Sequence, residues 1–340
     1  MKTLLVGPGA IGGTVAVFAA KAGFVFDVLG RPEEAEYLRD NDFALTGCEG
    51  EHSARLRAFG SIDELAESYD CVLIATKAQA MPHVARALLP RLHPDSLVLG
   101  LQNGITTELM SEVVGEERTV SCMIGIGATS KGIGKAELTS GGHFIIGRAA
   151  QGESSPEADK RLEYLRRFVN CCQPTSISGC ILADLYSKLV FNACVNALCA
   201  LSGMTLGKLL DDKKARAAFL SIAREGMAVA AAIGLDVPPF MGILDYRLLV
   251  KHQSKAANAL FGKLFQVIGK VRIGKVHPST LQSLERGELT EIDYLNGYFL
   301  RRGGEFGVSC PVNEQIVGMI HQIERGERQM GIHNINELKL

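Results

Sequence analysis

A six-residue turn, Gly7-Pro8-Gly9-Ala10-Ile11-Gly12, constrains this chain more than any other feature. It follows the apolar run Lys2–Val6 and opens a stretch, Gly12–Ala22, with small and apolar residues at helical spacing. Three glycines at this spacing have separate tasks. The first permits a tight turn, the second lets backbone approach a pyrophosphate, and the third lets helix and strand pack closely. The helix N-terminus supplies N–H donors for the anion. A strand before the turn and a helix after it are the context that gives the pattern meaning. The turn therefore predicts a dinucleotide site carried by Gly7, Pro8, Gly9, Ala10, Ile11 and Gly12, against the blander reading of a structural glycine turn.

The rest of the first half agrees with that prediction. Phe24–Leu29, Tyr69–Ala75 and Leu97–Leu101 are near-continuous apolar runs, suited to parallel strands covered on both faces. Ala78–Leu89 reads as a helix between two of them. Strands alternating with helices imply βαβ units and a doubly wound sheet. Thr119–Gly125, Lys135–Thr139 and His143–Ile146 read as strands separated by glycine-rich turns. Ala158–Phe168 reads as a charged amphipathic helix and Thr175–Gly179 as a last short strand. Beyond Cys180 the pattern turns helical: Leu182–Leu201, Lys213–Ile233, Met241–Ile268, Thr290–Gly303 and Pro311–Arg325. At about 150 residues per domain, 340 residues suggest two domains. The expected fold class is α/β, an N-terminal Rossmann-type doubly wound sheet domain over 1–180 plus an all-α domain over 181–340.

Charge and composition exclude some functions. Lys plus Arg number 36 against 37 Asp plus Glu, a net charge of -1, so nothing drives general phosphate attraction and no nucleic-acid partner is expected. No apolar run reaches the roughly 18 residues of a membrane span, and no signal peptide is read at the N-terminus. Nine cysteines are scattered without a CxxC pair, which indicates neither a zinc site nor a disulfide framework. No metal is expected, and reduced thiols suit a cytoplasmic protein.

Candidate ligand residues lie at strand C-termini, where open α/β sheets bind ligands. The second strand ends in Leu29-Gly30-Arg31. Glycine replaces the acid that usually takes the ribose hydroxyls of NAD and leaves room for a 2′-phosphate, which Arg31 can chelate. Asp27 lies too deep in the strand to serve. NADP(H) is therefore the expected cofactor, with Arg31 as a solvated loop residue the alternative. Lys77 and Asn103 follow the next two strands. Lys77 can approach a phosphate or ribose, and Asn103 the nicotinamide amide or the substrate.

The most informative segment of the second half is apolar around Lys188, Asn192 and Asn196. Their spacing puts the three on one helix face. A polar row in such a helix suggests a cleft-facing stripe; interhelical hydrogen bonds with a snorkelling lysine are the structural alternative. Later, Thr290 can cap a helix with Glu291 and Asp293 in its first turn. Glu291 near Lys188 would keep the ammonium charged and able to donate a proton. Ser279 offers a hydroxyl for an acid group, or a helix N-cap.

Taken in order, GPGAIG, LGR (29–31), ATKAQ (75–79), LQNG (101–104), the K-x3-N-x3-N row, PSTLQSLERG (278–287) and TEIDYLNG (290–297) resemble the ketopantoate reductase (2-dehydropantoate 2-reductase) family over nearly the whole length. The resemblance implies a Rossmann domain joined to a helical domain, with the active site in the cleft. It implies NADPH-dependent reduction of 2-dehydropantoate to (R)-pantoate, a step of pantothenate and coenzyme A biosynthesis. Lys188 would be the general acid and Glu291 would bind or orient near the reacting centre. Asn103 would contact nicotinamide or substrate, Asn192 and Asn196 the substrate hydroxyl, and Ser279 its carboxylate. Lys77 and Arg31 would serve the cofactor. The partner implied is a small 2-keto acid; a homodimer is compatible with the sequence. Two departures flank the expected pocket: Ser283 stands where relatives often carry Asp, and 242–276 is longer and more basic. A D-2-hydroxyacid dehydrogenase acting on other branched or aromatic 2-keto acids is the first alternative. A non-catalytic cofactor sensor is the second.

Overall fold

The computed structural model describes residues 1–150, 156–240, 242–251, 254, 260, 261, 263, 266 and 278–340. The chain divides into two compact units, Met1–Leu182 and Ala183–Leu340.

The first unit is a Rossmann-type domain. Its elements run β1 (Thr3–Val6), α1 (Ala10–Lys21), β2 (Asp27–Leu29), α2 (Pro32–Asp40), β3 (Phe43–Gly47), β4 (His52–Ala54), β5 (Arg57–Phe59), β6 (Tyr69–Ile74), α3 (Met81–Leu88), β7 (Leu92–Gly100) and α4 (Thr107–Val114). They continue with β8 (Thr119–Ile124), β9 (Gly127–Ser130), β10 (Lys135–Ser140), β11 (Phe144–Arg148), α5 (Pro156–Asn170) and β12 (Thr175–Ile177). Eight strands form one sheet in the order β12-β11-β8-β7-β6-β1-β2-β5. Every pairing in it is parallel except β11 with β8. The order reverses at β1: β2 lies on one side and β6 on the other. That makes the C-terminal end of β1, where the glycine turn stands, the topological switch point.

Both faces of this sheet are covered, which explains the continuous apolar runs. Leu5, Cys71 and Leu73 pack into a core shared with Val15, Ala19, Leu165 and Phe168 from α1 and α5. Their neighbours Leu4, Val6, Val72 and Ile74 point the other way, onto Met81, Ala85, Met110 and Val114 from α3 and α4.

Sequence patterning missed part of this domain. A second sheet, β4-β3-β10-β9, packs on α1. The run Lys135–Thr139 belongs to it, whereas the two runs on either side join the large sheet. Strands of three to five residues such as β3, β4 and β5 carry too little alternation to read alone. Phe24–Leu29 is strand only from Asp27, and β7 extends further back than expected, to Leu92.

The second unit is helical apart from one isolated bridge, Phe240 to Leu244, among the described residues. It contains α6 (Ile181–Ser202, starting at the boundary), α7 (Leu206–Leu209), α8 (Lys213–Ala232), α9 (Tyr246–Lys251), α10 (Ser279–Glu285), α11 (Asn296–Phe306), α12 (Pro311–Glu324) and α13 (Ile332–Glu337). The helix expected from Met241 begins instead at Tyr246, because Phe240-Leu244 closes on itself first. Most of its remainder, and most of the basic stretch 242–276, lies outside the described residues. Helix α6 is long and apolar enough to cross a membrane by length and composition, contrary to the expectation that no segment qualifies. Lys188 and the two asparagines had hidden this from a reading by uninterrupted runs. Its most apolar window is 83% buried inside the protein, so it is the core helix of this unit.

One close approach yields a stability prediction. A methyl on Gly13 would stand 2.0 Å from the ring of Phe43, which is 1% exposed. Gly13→Ala should destabilise the protein by about 1–3 kcal/mol through overpacking, despite alanine's better helix propensity. Thermal unfolding checks this; a raised midpoint would show that Phe43 yields freely.

Candidate functional site

Gly7 and Gly12 are required by the backbone itself, and Gly9 faces open space. Gly7 has φ +88, and a Cβ on it would come within 3.1 Å of Thr76 and Ala75. A Cβ on Gly12 would sit 2.1 Å from the carbonyl oxygen of Gly7. Around Gly9 a Cβ would meet nothing within 4 Å, so that face is open. The amide of Gly7 donates to the Leu29 carbonyl at 2.9 Å, tying the turn to the end of β2. Helix α1 has no side-chain N-cap and no acid in its first turn, which leaves its amide end available to an anion. Beside the turn, the hydroxyl of Thr76 is buried with no hydrogen-bond partner among the described residues. Open backbone, uncapped amides and an orphan hydroxyl fit a dinucleotide pyrophosphate.

The end of β2 differs from expectation in one respect. Gly30 does not leave empty space: a Cβ there would lie 3.1 Å from Pro8 Cγ, Glu34 Cβ and Glu34 Oε2. Arg31 is the N-cap residue of α2. Its amide donates to Glu34 Oε2 at 2.8 Å, and its Nη2 to Glu34 Oε1 at 2.9 Å. Its Nε lies 3.3 Å from Glu33 Oε1. The bond to Glu34, then its charge, raise the guanidinium pKa, with burial opposing. The Arg31 side chain stays 67% exposed. Asp27 is engaged elsewhere: it accepts from the Tyr69 hydroxyl at 2.8 Å and lies 3.5 Å from Arg57 Nε.

Lys77, exposed, begins the loop after β6, and Asn103, half-buried, follows β7. Between them works a residue to which the sequence reading gave no role. Gln102 is 6% exposed and donates to the carbonyls of Ile74 at 2.7 Å and Thr76 at 3.1 Å. It thereby fixes the two loops to each other. Its signal in the sequence was only its place beside Asn103.

In the second unit, Lys188, Asn192 and Asn196 share one face of α6. Lys188 and Asn192 are half-buried and Asn196 is 7% exposed. Neither asparagine side chain enters a hydrogen bond among the described residues, whereas two of their polar neighbours on α6 do. Tyr186 donates to the Gly226 carbonyl at 2.6 Å, and Ser187 to that of Pro238 at 2.8 Å.

The segment bearing Glu291 is not the start of an α-helix. Glu291, half-buried, caps a single 3-10 turn, Ile292–Tyr294, and α11 begins only at Asn296. The cause is tertiary. Asn296 is fully buried and donates to the Ala193 carbonyl of α6 at 3.1 Å and to Asn313 Oδ1 at 2.8 Å. Those bonds turn the chain at Leu295 out of helical geometry. They also bring this segment against α6 one residue beyond Asn192. Thr290 is not the N-cap residue expected of it; it lies one position earlier, and its hydroxyl accepts from the Ile292 amide at 3.2 Å. Ser279 is exposed at the first position of α10; Pro278, not Ser279, is the N-cap residue. Ser283 follows one turn later on the same short helix, half-buried.

Behind Glu291 stands a charged cluster that sequence reading missed, because its members lie about 30 residues apart. Glu324 has a side chain 6% exposed, and its Oε1 accepts from both the amide and the hydroxyl of Thr290, at 2.8 and 2.7 Å. Its Oε2 lies 2.7 Å from His321 Nδ1, and His321 Nε2 lies 3.0 Å from Asp293 Oδ1. Burial disfavours the imidazolium, but its bonds and charges with Glu324 and Asp293 outweigh that and raise the His321 pKa above 6.5. Burial likewise opposes the Glu324 carboxylate, and the bonds from Thr290 and His321 outweigh it and lower its pKa.

These two constellations define a dinucleotide-binding unit and a helical unit with a polar stripe on its core helix. Comparison with known proteins gives the class a name. The family model described as ketopantoate reductase PanE/ApbA matches residues 3–151, and its C-terminal counterpart matches 180–324. The chain belongs to the ketopantoate reductase family and is an oxidoreductase of that family. It is 25% identical over 324 residues to a 2-dehydropantoate 2-reductase of Aquifex aeolicus, covering 94% of this chain and 96% of that one. A PanE/ApbA family ketopantoate reductase from Ralstonia eutropha has the same fold, with TM-score 0.78 and 24% identity over 97% of this chain and all of that one (100%). So does a D-mandelate dehydrogenase solved with NADH and anilino(oxo)acetate, with TM-score 0.79 and 21% identity over 96% and 99%.

The Glu324 cluster makes two predictions. Glu324→Ala leaves the Thr290 donors and His321 without their acceptor and should cost about 2–4 kcal/mol in urea unfolding. A loss below about 0.5 kcal/mol would mean the segment is held by other contacts. A raised folded-state pKa means His321 stabilises fully below about pH 6.5, and that this contribution fades as pH rises through the folded value. Unfolding curves from pH 6 to 8 should therefore show a fall in stability that His321→Gln abolishes; an unchanged slope in the variant would contradict the assignment.

Proposed function

We propose that this chain is an NADPH-dependent 2-dehydropantoate 2-reductase, converting ketopantoate to (R)-pantoate for pantothenate and coenzyme A synthesis. The observation that carries the reading is the row on α6: two side-chain amides, Asn192 half-buried and Asn196 almost wholly so, one and two turns beyond a lysine on the same helix face. A side-chain amide offers both a donor and an acceptor, the pair that a substrate hydroxyl can use.

The roles then follow from chemistry. The reduced nicotinamide supplies a hydride to the keto carbon. Lys188 donates a proton to the carbonyl oxygen as charge develops there. Glu291 keeps the ammonium charged, and the anchored Asn296 and Thr290 on either side limit where Glu291 can go. Asn192 and Asn196 lie about 6 and 12 Å along the helix from Lys188 and take the terminal hydroxyl of ketopantoate. Ser279 takes the substrate carboxylate, and Asn103 the nicotinamide amide or the substrate. Arg31 binds the 2′-phosphate, Lys77 a phosphate or ribose, and Gly7, Pro8, Gly9, Ala10, Ile11 and Gly12 the pyrophosphate. The protein works in the cytoplasm on a small soluble substrate.

One observation favours a second reading. Phe191, next to Asn192, stacks on Phe240 with centroids 4.7 Å apart and 18° between planes. Both rings are half-buried. An aromatic wall there suits a D-2-hydroxyacid dehydrogenase acting on branched or aromatic 2-keto acids.

Lys188→Ala should lower kcat by at least about 10²-fold while NADPH binding survives. Near-normal kcat would make Lys188 structural. The substrate panel separates the two readings. A site that hydrogen-bonds a hydroxyl rejects the analogue lacking it. For ketopantoate, kcat/KM should exceed that for 2-ketoisovalerate by at least about 10²-fold, and Asn192→Ala should erase much of the gap. Equal reduction of ketopantoate and phenylpyruvate would favour the second reading.

A further inference from the structure

The end of β2 holds a carboxylate where the strand itself supplies none. Glu34 lies on the first turn of α2, and its side chain is only 15% exposed. Its Oε2 stands 3.1 Å from the point a Gly30 Cβ would occupy. The carboxylate therefore fills the place of a strand-end acidic side chain, the group that accepts from ribose hydroxyls in NAD sites. Both oxygens are engaged by Arg31, one through the backbone amide at 2.8 Å and one through the guanidinium at 2.9 Å. Glu33 adds a second carboxylate 3.3 Å from Arg31 Nε. One guanidinium thus stands against two carboxylates.

A 2′-phosphate arriving here meets like charge, and the guanidinium must leave or share Glu34 to pair with it. A plain ribose 2′-hydroxyl requires no such exchange and finds a carboxylate acceptor in place. We propose that Glu34 is a specificity-determining residue for the cofactor: it holds the preference for NADPH over NADH below what Arg31 alone would confer. The proposal rests on the assignment of Arg31 to the 2′-phosphate. The Arg31 side chain, 67% exposed, has room to swing from one anion to the other.

Glu34→Gln tests this, because glutamine keeps the volume and an acceptor for the Arg31 amide while removing the charge. Dissociation constants of NADPH and NADH are measured by calorimetry or by the fluorescence of the nicotinamide, the chain having no tryptophan. The ratio Kd(NADH)/Kd(NADPH) should rise at least about tenfold in the variant, mainly through tighter NADPH binding, at an unchanged unfolding midpoint. An unchanged ratio overturns the proposal. So does a fall, which would mean that Glu34 only orients Arg31. Arg31→Ala, run alongside, tests the underlying assignment separately. A selective ten- to hundredfold loss of NADPH affinity upholds it whatever Glu34→Gln does, and equal effects on both cofactors overturn it.

Discussion

A polar group taken out of water must find a partner, and both units of this protein are arranged around that constraint. Gln102 donates from its amide to the backbone carbonyls of Ile74 and Thr76, so the loops after β6 and β7 are fixed to each other by one side chain. Glu225 does the same for α12: its carboxylate accepts the amides of Val312 and Asn313 at 2.9 and 3.0 Å. Asn313 in turn accepts from Asn296, which reaches Ala193 on α6. A chain of buried polar contacts thus runs from the start of α12 to the middle of the core helix. Against that background, the buried Thr76 hydroxyl beside the glycine turn has no partner among the described residues, and Asn192 and Asn196, on the polar face of α6, enter no side-chain hydrogen bond among them.

The same constraint explains what the sequence revealed. The glycine turn was legible because steric exclusion acts within six consecutive residues: Gly7 is held by its φ and by Ala75 and Thr76, and Gly12 by the Gly7 carbonyl. The stripe on α6 was legible because 22 residues of one helix hold it, and polar residues in an apolar background betray their shared face. The parallel strands were legible from continuous apolar runs, since burial on both faces removes alternation.

What escaped was long-range or too short. The second sheet pairs β3 with β10, about 90 residues apart, and neither strand announces its partner. Thr290, Asp293, His321 and Glu324 meet only through packing of the turn at 292–294 on α12. The position of Glu291 was legible, but not its setting: the helix expected from Thr290 is interrupted at Leu295, next to Asn296, whose Nδ2 donates across the fold to Ala193. At the end of β2, the sequence showed Gly30 and Arg31 but not that Glu34 folds back beside them. Local charge pairing in a helix cap altered a site that the strand alone had seemed to define.

The central claim is that the α6 row receives a 2-keto acid which is reduced at the expense of NADPH. The most direct measurement is the absorbance of reduced nicotinamide when ketopantoate is added to the unmodified protein and NADPH. The account predicts stoichiometric, saturable oxidation that yields (R)-pantoate. Bound NADPH that stays reduced in the presence of ketopantoate would contradict it.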